Sequence, residues 1–319
     1  MKPASARDQV LEDPACAGVP VLERLWYYKM ELEPGLWTRG RMFENVHLTR
    51  EALRRIDVEG LDCLDIGAME GLVSVLLHRR GAASVVAYDR LDFSERVALV
   101  NDKLGAGIDY LYGFPLTDLG ERLEGRSLYD LVVFSGVLYH MFDVLGGLLR
   151  ARRHLRDGGI MLVETAAVLA PEPVLHFNAK GRFMSGDNFW FPTFGLLDYL
   201  LRFCRLQALD VLHFDLPPID PAAGALARVC VPCVAVSGPI AEPDDVWISR
   251  KQKKDFIEHL DWSELQAAAR RPIPYDVTGR PLVRRTDGSL DVYATALKSP
   301  NMHCADRERE VALPLGSLY

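Results

Sequence analysis

The feature that most constrains this chain is a regular alternation of short apolar segments and amphipathic helical segments between residues 61 and 165. The apolar segments have the length and bounding turns of strands, and they are nearly continuous in hydrophobic residues, as in a parallel sheet buried on both faces. The predicted strands are 61–66, 84–89, 108–112, 129–134 and 160–164. The predicted helices are 71–80, 94–104 and 144–155, the last ending at the helix-stop pattern Asp157-Gly158-Gly159. The fold class is therefore α/β, with helices on both faces of the sheet.

The segments on either side of this alternation differ from it in composition and predict the domain organisation. Residues 1–55 are mixed and aromatic and predict an N-terminal arm or helical cap, whereas residues 56–240 predict the main domain. Residues 168–192 are rich in proline, glycine and aromatic residues and predict a lid-like insertion after the fifth strand. Residues 241–319 are more polar and predict a C-terminal extension. Further predicted elements are a helix at 192–204, strands at 206–214 and 226–236, a charged helix at 249–260 and a strand at 290–297.

Charge and hydropathy argue against several function classes. The formal net charge is −7, which disfavours a general nucleic-acid binder. No apolar run approaches the roughly 20 residues that span a membrane. The polar segment Met1–Asp13 lacks a secretory signal pattern. We therefore expect a cytoplasmic protein that acts on a small molecule, without a nucleic-acid or membrane partner.

The cysteines predict reduced thiols rather than a disulfide framework, because all six are scattered through a long chain. Cys230-Val-Pro-Cys233 has the spacing of a redox or zinc knuckle. A zinc site needs a second ligand pair at matching spacing, and the sequence contains none. The surrounding residues 227–236 are apolar and predict a buried strand, so we expect no metal.

The first predicted strand passes into its helix through the glycine turn Asp65-Ile-Gly-Ala-Met-Glu-Gly71, and the second strand ends at Asp89. Glycine lets a backbone approach a ligand closely, and an acid after the second strand of such a fold binds ribose hydroxyls. A dinucleotide fingerprint would need glycine at Met69 and Leu72, and a P-loop would need Gly-Lys-Ser/Thr. Both are absent, so the turn favours an adenosine ligand without phosphates, such as S-adenosylmethionine (SAM).

Several longer motifs carry a resemblance to a known family. They are Leu64-Asp-Ile-Gly-Ala-Met-Glu-Gly71, Val86-Ala-Tyr-Asp89, Tyr129-Asp-Leu-Val-Val-Phe-Ser-Gly-Val-Leu-Tyr-His140 and Leu155-Arg-Asp-Gly-Gly-Ile-Met-Leu-Val-Glu-Thr165. In this order they resemble the motifs of class I SAM-dependent methyltransferases. Narrower pieces are similar to the tRNA wobble-uridine carboxymethyltransferases and their small-molecule biosynthetic relatives: Trp26–Thr38, Gly136–His140, Leu162–Thr165 and Asn188–Thr193. The resemblance covers residues 25–215 and implies a Rossmann-like fold with SAM as cofactor.

The resemblance also implies a set of cofactor contacts. Gly67 and Gly71 match the glycine loop, and Asp89 matches the ribose acid. Ala68 departs from the commoner second glycine, although a small residue still permits close approach. The expected SAM contacts are Asp65, Gly67, Ala68, Met69, Gly71, Asp89, Arg90, Phe114, Leu116, Ser135 and Gly136, the last two at the fourth-strand tip beside the sulfonium.

Methyl transfer from a sulfonium needs a positioned nucleophile, and an oxygen or nitrogen acceptor also needs a base for its proton. Open α/β sheets bind ligands at the carboxyl ends of their strands, where His140, Asp143 and Glu164 are expected. His140 is the best candidate base because imidazole titrates near neutral pH. The alternatives are a turn cap for His140, a helix cap for Asp143 and backbone hydrogen bonding for Glu164.

Aromatic residues flank the expected mouth of this site. They either line a flat apolar pocket for the acceptor or pack the arm and the insertion onto the sheet. The candidates for substrate binding are Trp26, Tyr27, Trp37, Tyr139, Phe189 and Trp190.

Three functions fit the sequence. The first is SAM-dependent methyl transfer to an oxygen or nitrogen of a small molecule in natural-product biosynthesis, by a monomer or homodimer. The second is a tRNA wobble-uridine (carboxy)methyltransferase, and the third is a non-methylating SAM-fold cyclase or binding protein. The acidic balance, the aromatic insertion and the N-terminal arm favour the first, because a tRNA enzyme needs a basic face.

The second function would use carboxy-SAM, whose extra carboxylate needs a cation. The resemblance implies an early lysine and an arginine before the last strand. The comparable stretches offer Arg39 or Arg41 for the first, and Asp291 in place of the second. The basic run Arg250-Lys-Gln-Lys-Lys254 is the one local cluster, and a solvated helix face explains it equally well.

Overall fold

The structure, a computed structural model, describes residues 20–42, 46–184, 187–237, 271–280, 282–283 and 292–297. Its helices are α1 Pro20–Glu23, α2 His47–Leu53, α3 Leu72–Arg79, α4 Ser94–Leu104, α5 Leu119–Arg122, α6 Val144–Arg152 and α7 Phe194–Phe203. Its first strands are β1 Trp26–Tyr28, β2 Glu31–Glu33, β3 Leu36–Trp37, β4 Gly40–Met42, β5 Asp62–Ile66, β6 Ser84–Asp89, β7 Asp109–Tyr112 and β8 Tyr129–Ser135. The remaining strands are β9 Leu155–Val168, β10 Leu175–Phe177, β11 Trp190–Pro192, β12 Leu206–Ala208, β13 Asp210–Leu216, β14 Leu226–Ala235, β15 Leu282–Val283 and β16 Val292–Ala296. Within these ranges, every helix is too short or too polar to cross a membrane.

The main sheet positions the site. Its order is β15-β16-β13-β14-β9-β8-β5-β6-β7, with β12 paired to β14 outside that path. The strands β5 to β9 pair in parallel, as the alternation predicts. Strand β14 runs antiparallel to β9, and β13 runs antiparallel to β14. Strands β5, β6 and β7 follow one another toward one edge of the sheet, and the chain then returns to place β8 on the other side of β5. Ligands of open α/β sheets bind where the strand order reverses in this way.

Side chains of the sheet alternate between two hydrophobic cores, one on each face. Cys63 belongs to the first core and its neighbour Leu64 to the second. Helix α3 contributes Val75 to the first core, whereas α6 and α7 contribute Leu148 and Leu197 to the second. The prediction of a sheet covered on both faces is therefore confirmed.

One predicted boundary is wrong. The pattern Asp157-Gly158-Gly159 predicts a helix that reaches residue 155, but α6 ends at Arg152 and β9 already begins at Leu155. The pattern lies inside β9, where Gly158 has φ +78°. Asp157 accepts a hydrogen bond from the buried Arg152 guanidinium at 2.5 Å, and this ion pair holds the tight connection between helix and strand.

The N-terminal arm depends on a close approach of two short strands. Strand β1 pairs in parallel with β4, and a Cβ atom at Gly40 would lie 1.8 Å from the carbonyl oxygen of Tyr28. Thr38 joins the same strands, because its Oγ1 donates to the Tyr28 carbonyl at 2.7 Å and accepts from the Met30 N–H at 2.8 Å. The aromatic stretch that was predicted as an arm or helical cap thus folds into strand pairs between the helices α1 and α2.

The segment between β9 and α7 contains the hairpin of β10 and β11, which pair antiparallel. Thr193 ends the hairpin and caps α7, accepting at Oγ1 from the N–H groups of Leu196 at 3.2 Å and Val174 at 3.0 Å. The predicted helix at 192–204 is confirmed. The strand predicted at 206–214 is two strands, β12 and β13, both of which pair with β14.

Residues 271–280 cross the edge of the main domain and are fastened to it by a buried ion pair. The Arg280 guanidinium donates to the Asp210 carboxylate at 2.6 Å, and the Tyr275 hydroxyl donates to the same carboxylate at 2.9 Å. The predicted strand at 290–297 is confirmed as β16. The predicted helix at 249–260, Asp291, Cys16 and Cys304 lie outside the described residues.

Replacing Arg280 by alanine leaves Asp210 buried and without its cation, and breaking a buried pair costs about 3–5 kcal/mol. We expect Arg280→Ala to lower the free energy of unfolding in urea by about that amount. Arg126 forms an exposed ion pair with Asp109, with side-chain exposures of 38% and 51%. The matched control Arg126→Ala should therefore lose about 1 kcal/mol or less. Equal losses in the two variants would show that the Arg280 pair does not fasten the segment to the sheet.

Candidate functional site

The glycine turn between β5 and α3 is shaped by two residues in left-handed conformations. Gly67 and Gly71 both have φ +84°, and Gly71 is the N-cap of α3. A Cβ atom at Gly67 would lie 2.2 Å from Cγ2 of Val137, so the turn packs directly against the loop that follows β8. The predicted glycine loop therefore forms, and it leaves no room for a side chain at Gly67.

Met69 is the unusual residue of this turn. It has φ +48°, a conformation that costs a residue with a Cβ roughly 1–2 kcal/mol. Its N–H donates to Oδ2 of Asp89 at 2.9 Å, which helps to hold it in place. Ala68, by contrast, donates its N–H to the Tyr88 carbonyl at 3.1 Å without backbone strain. The departure from the family pattern that matters sterically is thus at Met69 rather than at Ala68.

Asp65 braces the turn from below. Its carboxylate is buried and accepts from the Ser74 hydroxyl at 2.6 Å, which ties the end of β5 to α3. Burial raises the pKa of Asp65 to about 7, with the Ser74 hydrogen bond acting in the opposite direction. Asp65 was predicted to contact SAM, but its partner in the structure is the helix, which makes it a support of the turn.

Asp89 ends β6 and faces the turn. One carboxylate oxygen accepts from the Met69 N–H and the other from the Leu91 N–H at 2.8 Å. A carboxylate has about four acceptor positions, so the two oxygens keep capacity for two further donors. That is what a pair of ribose hydroxyls requires. Arg90 lies next along the chain and is exposed.

The segment after β7 carries the predicted adenine contacts. The Phe114 ring lies 5.0 Å from the Tyr88 ring, centroid to centroid, and the Arg122 guanidinium lies 5.2 Å from its centroid. The Tyr88 hydroxyl donates to the Phe114 carbonyl at 2.7 Å and so fixes this segment beside β6. Leu116 starts the 3-10 turn Leu116–Asp118 and is partly buried.

The tip of β8 carries a buried polar network that reaches four elements. Ser135 Oγ shares a hydrogen bond with Thr49 of α2 at 2.7 Å and donates to Oε2 of Glu164 in β9 at 3.2 Å. The Gly136 N–H donates to the Glu164 carbonyl at 3.0 Å. Glu164 is 1% exposed, and the Arg228 guanidinium of β14 donates to both of its oxygens, at 2.5 and 2.6 Å.

Tyr139 completes this network beside Gly136. The third donating nitrogen of Arg228 bonds the Tyr139 hydroxyl oxygen at 3.0 Å, and a Cβ atom at Gly136 would lie 3.4 Å from that oxygen. Burial raises the pKa of Tyr139 to about 12, so the phenol keeps its proton at neutral pH. Glu164 was a candidate base, but its charge is already paired with Arg228, so we assign it a positioning role.

His140 lies at the same tip, in the turn Leu138–His140. Its Nδ1 lies 2.8 Å from the Asp187 carbonyl oxygen, and because a carbonyl only accepts, Nδ1 carries the proton. Nε2 is then the basic nitrogen. Burial lowers the pKa of His140, as do Arg228 and Arg90, while the Asp187 carbonyl opposes them. His140 in turn slightly lowers the pKa of Asp89, which burial raises.

Asp143, the third candidate for acid–base chemistry, has a different role from His140. It is the N-cap of α6, accepting from the Gly146 N–H at 2.8 Å, and it pairs with Arg150 at 3.2 Å. The helix-cap interpretation therefore accounts for Asp143. A carboxylate committed to a cap and an ion pair is poorly suited to acid–base chemistry.

The predicted substrate-binding aromatics fall into different surroundings. Trp26 is 1% exposed and donates its indole N–H to the Val21 carbonyl at 3.0 Å, so it belongs to the core and not to a pocket. Trp37 lies in the β2–β3 hairpin, where the Lys29 ammonium is 5.8 Å from its ring centroid. Phe189 and Trp190 lie beside the turn that contains Tyr139 and His140, because the Phe189 N–H donates to the Tyr139 carbonyl at 2.8 Å. Tyr28 is buried like Trp26, and both pack in the core that covers one face of the sheet, whereas Tyr27 and Trp37 are partly exposed.

Glu70 attaches the N-terminal arm to the glycine turn. Its side chain is fully buried, and Oε1 accepts from the Tyr27 N–H and from Arg96, both at 2.8 Å. Burial raises the pKa of Glu70, and these two bonds oppose the shift. The Tyr27 phenol in turn raises the pKa of Tyr139. The N-terminal arm is therefore anchored on the glycine turn through the backbone N–H of Tyr27.

Sequence reasoning missed Arg228, Glu70 and Thr49. Arg228 is the single charged residue within the apolar strand β14, and that anomaly was a usable signal. Cys230 and Cys233 are buried in the same strand, and burial raises the pKa of both thiols, which disfavours thiolate chemistry. In the described ranges, no three histidine, cysteine or acidic side chains are grouped as metal ligands.

Comparison with known proteins places this site in a family. A family model described as a methyltransferase domain matches residues 37–194, which include the glycine turn, Asp89, the tip of β8 and Glu164. Residues 37–194 are a methyltransferase domain. The predictions of the class I SAM-dependent methyltransferase family, of the α/β fold and of SAM as cofactor are confirmed.

Two similar curated proteins have different functions. The tRNA U34 carboxymethyltransferase of Azotobacter vinelandii is 31% identical over 176 residues, or 49% of each chain. The ubiquinone biosynthesis O-methyltransferase of Paramagnetospirillum magneticum is 31% identical over 145 residues, or 42% of this chain and 56% of that protein. The chain thus spans about half the length of the curated relatives it matches.

Solved structures with a similar arrangement include the N-terminal domain of EvdMO1, determined in the presence of S-adenosylhomocysteine (SAH) and D-fucose. It is 16% identical, with a TM-score of 0.48 over 67% of this chain and 92% of that one. Another is the magnesium protoporphyrin IX methyltransferase of Synechocystis PCC 6803 with bound SAH. It is 14% identical, with a TM-score of 0.41 over 56% of this chain and 75% of that one.

The methyltransferase domain fits SAM in its own geometry. Asp89 keeps acceptor capacity at the place where a ribose is expected, and the turn above it carries no Cβ at Gly67 or Gly71. At the tip of β8, Gly136 at φ +72° presents backbone beside a neutral phenol. These residues would hold the nucleoside and the methionine part of the cofactor.

Gly67→Ala should abolish SAM binding, because the new Cβ would lie 2.2 Å from Val137 and the residue would keep its left-handed φ. We expect the Kd measured by isothermal titration calorimetry to rise at least about 100-fold, since the turn must move by more than a bond length. The control is Gly60→Ala, where φ is +73° and nothing lies within 4 Å. It should lower stability by roughly 1–2 kcal/mol and leave the Kd unchanged. Tight SAM binding by Gly67→Ala would exclude this turn as the cofactor loop.

Proposed function

We propose that this protein transfers a methyl group from SAM to an oxygen or nitrogen atom of a small molecule, as in natural-product biosynthesis. The observation that carries the proposal is His140. Its Nδ1 donates to the backbone carbonyl of Asp187, so the basic Nε2, on the other side of the ring, points away from that carbonyl. A base is needed when an oxygen or nitrogen acceptor must lose its proton as the methyl group is transferred.

The roles of the chain's own residues follow from the geometry. When bound, SAM supplies an electrophilic methyl group on a sulfonium. Asp89 holds the ribose, while Gly67 and Gly136 let the backbone approach the cofactor. His140 accepts the acceptor's proton at Nε2.

A small molecule suits the charge of the chain better than tRNA does. A tRNA-binding enzyme neutralises several phosphates with lysine and arginine, whereas the net charge here is −7. In the described ranges, several arginines are committed to acidic partners: Arg96 with Glu70, Arg126 with Asp109, Arg156 with Asp130 and Arg280 with Asp210. The predicted basic cluster at 250–254 lies outside the described residues.

A second candidate, carboxymethyl transfer from carboxy-SAM, is favoured by one observation. The resemblance implies an arginine before the last strand, at 289–293. The strand at these positions, β16, lies three strands from β9 and its Glu164. Arg228 of β14 lies instead beside Glu164 and bonds the Tyr139 hydroxyl at 3.0 Å. An extra carboxylate on the donor would meet Arg228 and a neutral phenol, but also the carboxylate of Glu164.

The choice of donor tests the first function against the second. Because Glu164 already compensates the charge of Arg228, a second carboxylate gains little net ion pairing and loses hydration. We expect SAM to bind at least about tenfold more tightly than carboxy-SAM in titration calorimetry. We also expect mass spectrometry of the denatured, freshly purified protein to release SAM or SAH. Tighter binding or release of carboxy-SAM would establish the second candidate.

The role of His140 predicts the pH dependence of methyl transfer. Its pKa is lowered from the ordinary value of 6.5, so the basic imidazole predominates at neutral pH and is protonated only as the pH falls below that value. We expect kcat/KM to fall on the acid side below pH 6.5. His140→Gln should lower kcat by about 10²–10⁴-fold and remove this acid limb. The measurement is transfer of labelled methyl groups from SAM to the best acceptor in a panel of phenols, catechols and amines.

The matched control is His78→Gln, because His78 lies in the last turn of α3, away from the strand tips. Its rate and pH profile should equal those of the wild type. If His140→Gln keeps the wild-type rate and profile, His140 is a structural residue of the turn and the acceptor is deprotonated by another group.

A further inference from the structure

A group of aromatic side chains on the rim beside His140 remains open to solvent. Phe142 is 71% exposed, Phe177 51% and Phe189 39%. Their rings surround the Trp190 indole, with centroid distances of 5.9 Å from Phe142 and 5.0 Å from Phe177. Phe142 and Phe189 meet edge to face at 5.9 Å. We name these four residues the aromatic rim.

The Trp190 indole is a second, independent sign of a ligand. Its Nε1 is buried and has no hydrogen-bond acceptor within the described structure. An indole N–H that is buried usually has a partner, and an unpaired buried donor costs about 1–3 kcal/mol. An exposed cluster of rings around an unsatisfied donor is therefore more consistent with a binding surface than with packing alone.

The aromatic rim is fixed relative to His140. The Phe189 N–H donates to the Tyr139 carbonyl, and the Asp187 carbonyl accepts from His140, each at 2.8 Å. Asn178 braces the same loop, because its side-chain amide donates to the carbonyl of Asn188 at 3.1 Å. A molecule bound at the rim is thus held beside the turn that carries His140.

The chemistry of the aromatic rim favours a neutral ligand. Its four members carry no charge, and Asp143, which follows Phe142 in the chain, is paired with Arg150, whose guanidinium donates to it at 3.2 Å. A phosphate or a carboxylate would find no matching cation in that pair. A flat apolar surface with one N–H donor matches a planar aromatic molecule that carries an oxygen acceptor.

We propose that the aromatic rim binds a neutral, planar aromatic part of the acceptor, with an ether or carbonyl oxygen of that part accepting from the Trp190 indole. Because Nε1 is buried, the ligand that bonds it takes a place among these rings rather than on their outer surface. The proposal rests on the proposed function only in identifying this ligand as the methyl acceptor. The binding surface itself is independent of which donor the enzyme uses.

The test is equilibrium dialysis of the full chain, without any methyl donor, against two probes of equal ring size. Coumarin is a planar bicyclic lactone with a carbonyl oxygen, and naphthalene is its apolar counterpart. Trp190→Phe keeps one aromatic ring, reduces the ring area equally for both probes and removes the N–H. We expect this change to raise the Kd of coumarin about 5–10-fold more than the Kd of naphthalene, the worth of one hydrogen bond.

Two further variants test whether the probes bind at the aromatic rim or at any exposed apolar residue. Phe177→Ala removes one wall of the aromatic rim and should weaken both probes about 5–10-fold. Ile219→Ala changes another exposed apolar residue, 61% exposed, and should leave both Kd values unchanged. Circular dichroism and thermal melting confirm that each variant is folded.

The proposal is overturned if neither probe binds, or if Trp190→Phe changes the two Kd values equally. It is also overturned if Phe177→Ala instead abolishes self-association in sedimentation, or binding to phosphatidylcholine vesicles, since the rim would then cover a second copy or a lipid surface. The dialysis contains no SAM. Selective loss of coumarin binding in Trp190→Phe together with absent methyl transfer would therefore contradict the proposed function and leave the aromatic rim standing.

Discussion

The buried ion pair between Arg228 and Glu164 is the interaction on which the site depends most. Two charges removed from water stabilise a fold only when each satisfies the other with good geometry, and here the guanidinium meets both carboxylate oxygens. The pair joins β14 to β9 where the sheet changes from parallel to antiparallel. Through Ser135 and Tyr139, the same pair sets the polar groups at the tip of β8. The polar groups of the site are thus held at the junction between the parallel strands and the first antiparallel strand, β14.

Local pattern was enough to predict most of the sheet. Strand 84–89 and helix 94–104 have the predicted bounds, because each is closed by residues that end it, Asp89 in the turn and Gly105 at φ +60°. The glycine turn was equally readable, since φ values near +84° leave a signature in the sequence. An element boundary was lost where a buried ion pair decides it, as at Arg152 and Asp157, because the sequence does not show which charged residues are buried together.

The site was only partly predictable for the same reason. His140, Asp89 and the tip of β8 follow from strand ends, which sequence pattern locates. Arg228 does not, because an arginine in an apolar strand has no visible partner until the sheet brings Glu164, 64 positions away, beside it. The aromatic residues show a second limit of prediction from sequence, because Trp26 and Phe142 are both large aromatic residues and yet one is buried and the other exposed. Whether an aromatic side chain is buried in the core or exposed in the aromatic rim depends on the residues packed around it in the fold.

The attachment of the arm to the cofactor turn has a consequence for how such a protein can diverge. Glu70 accepts from the backbone N–H of residue 27, not from its side chain. Any amino acid except proline supplies that N–H, so the side chain at position 27 can be exchanged without loosening the turn. The identity of residue 27 and the support of the turn are therefore separable. Selection can change the side chain that the arm carries at this position while the glycine turn keeps its support.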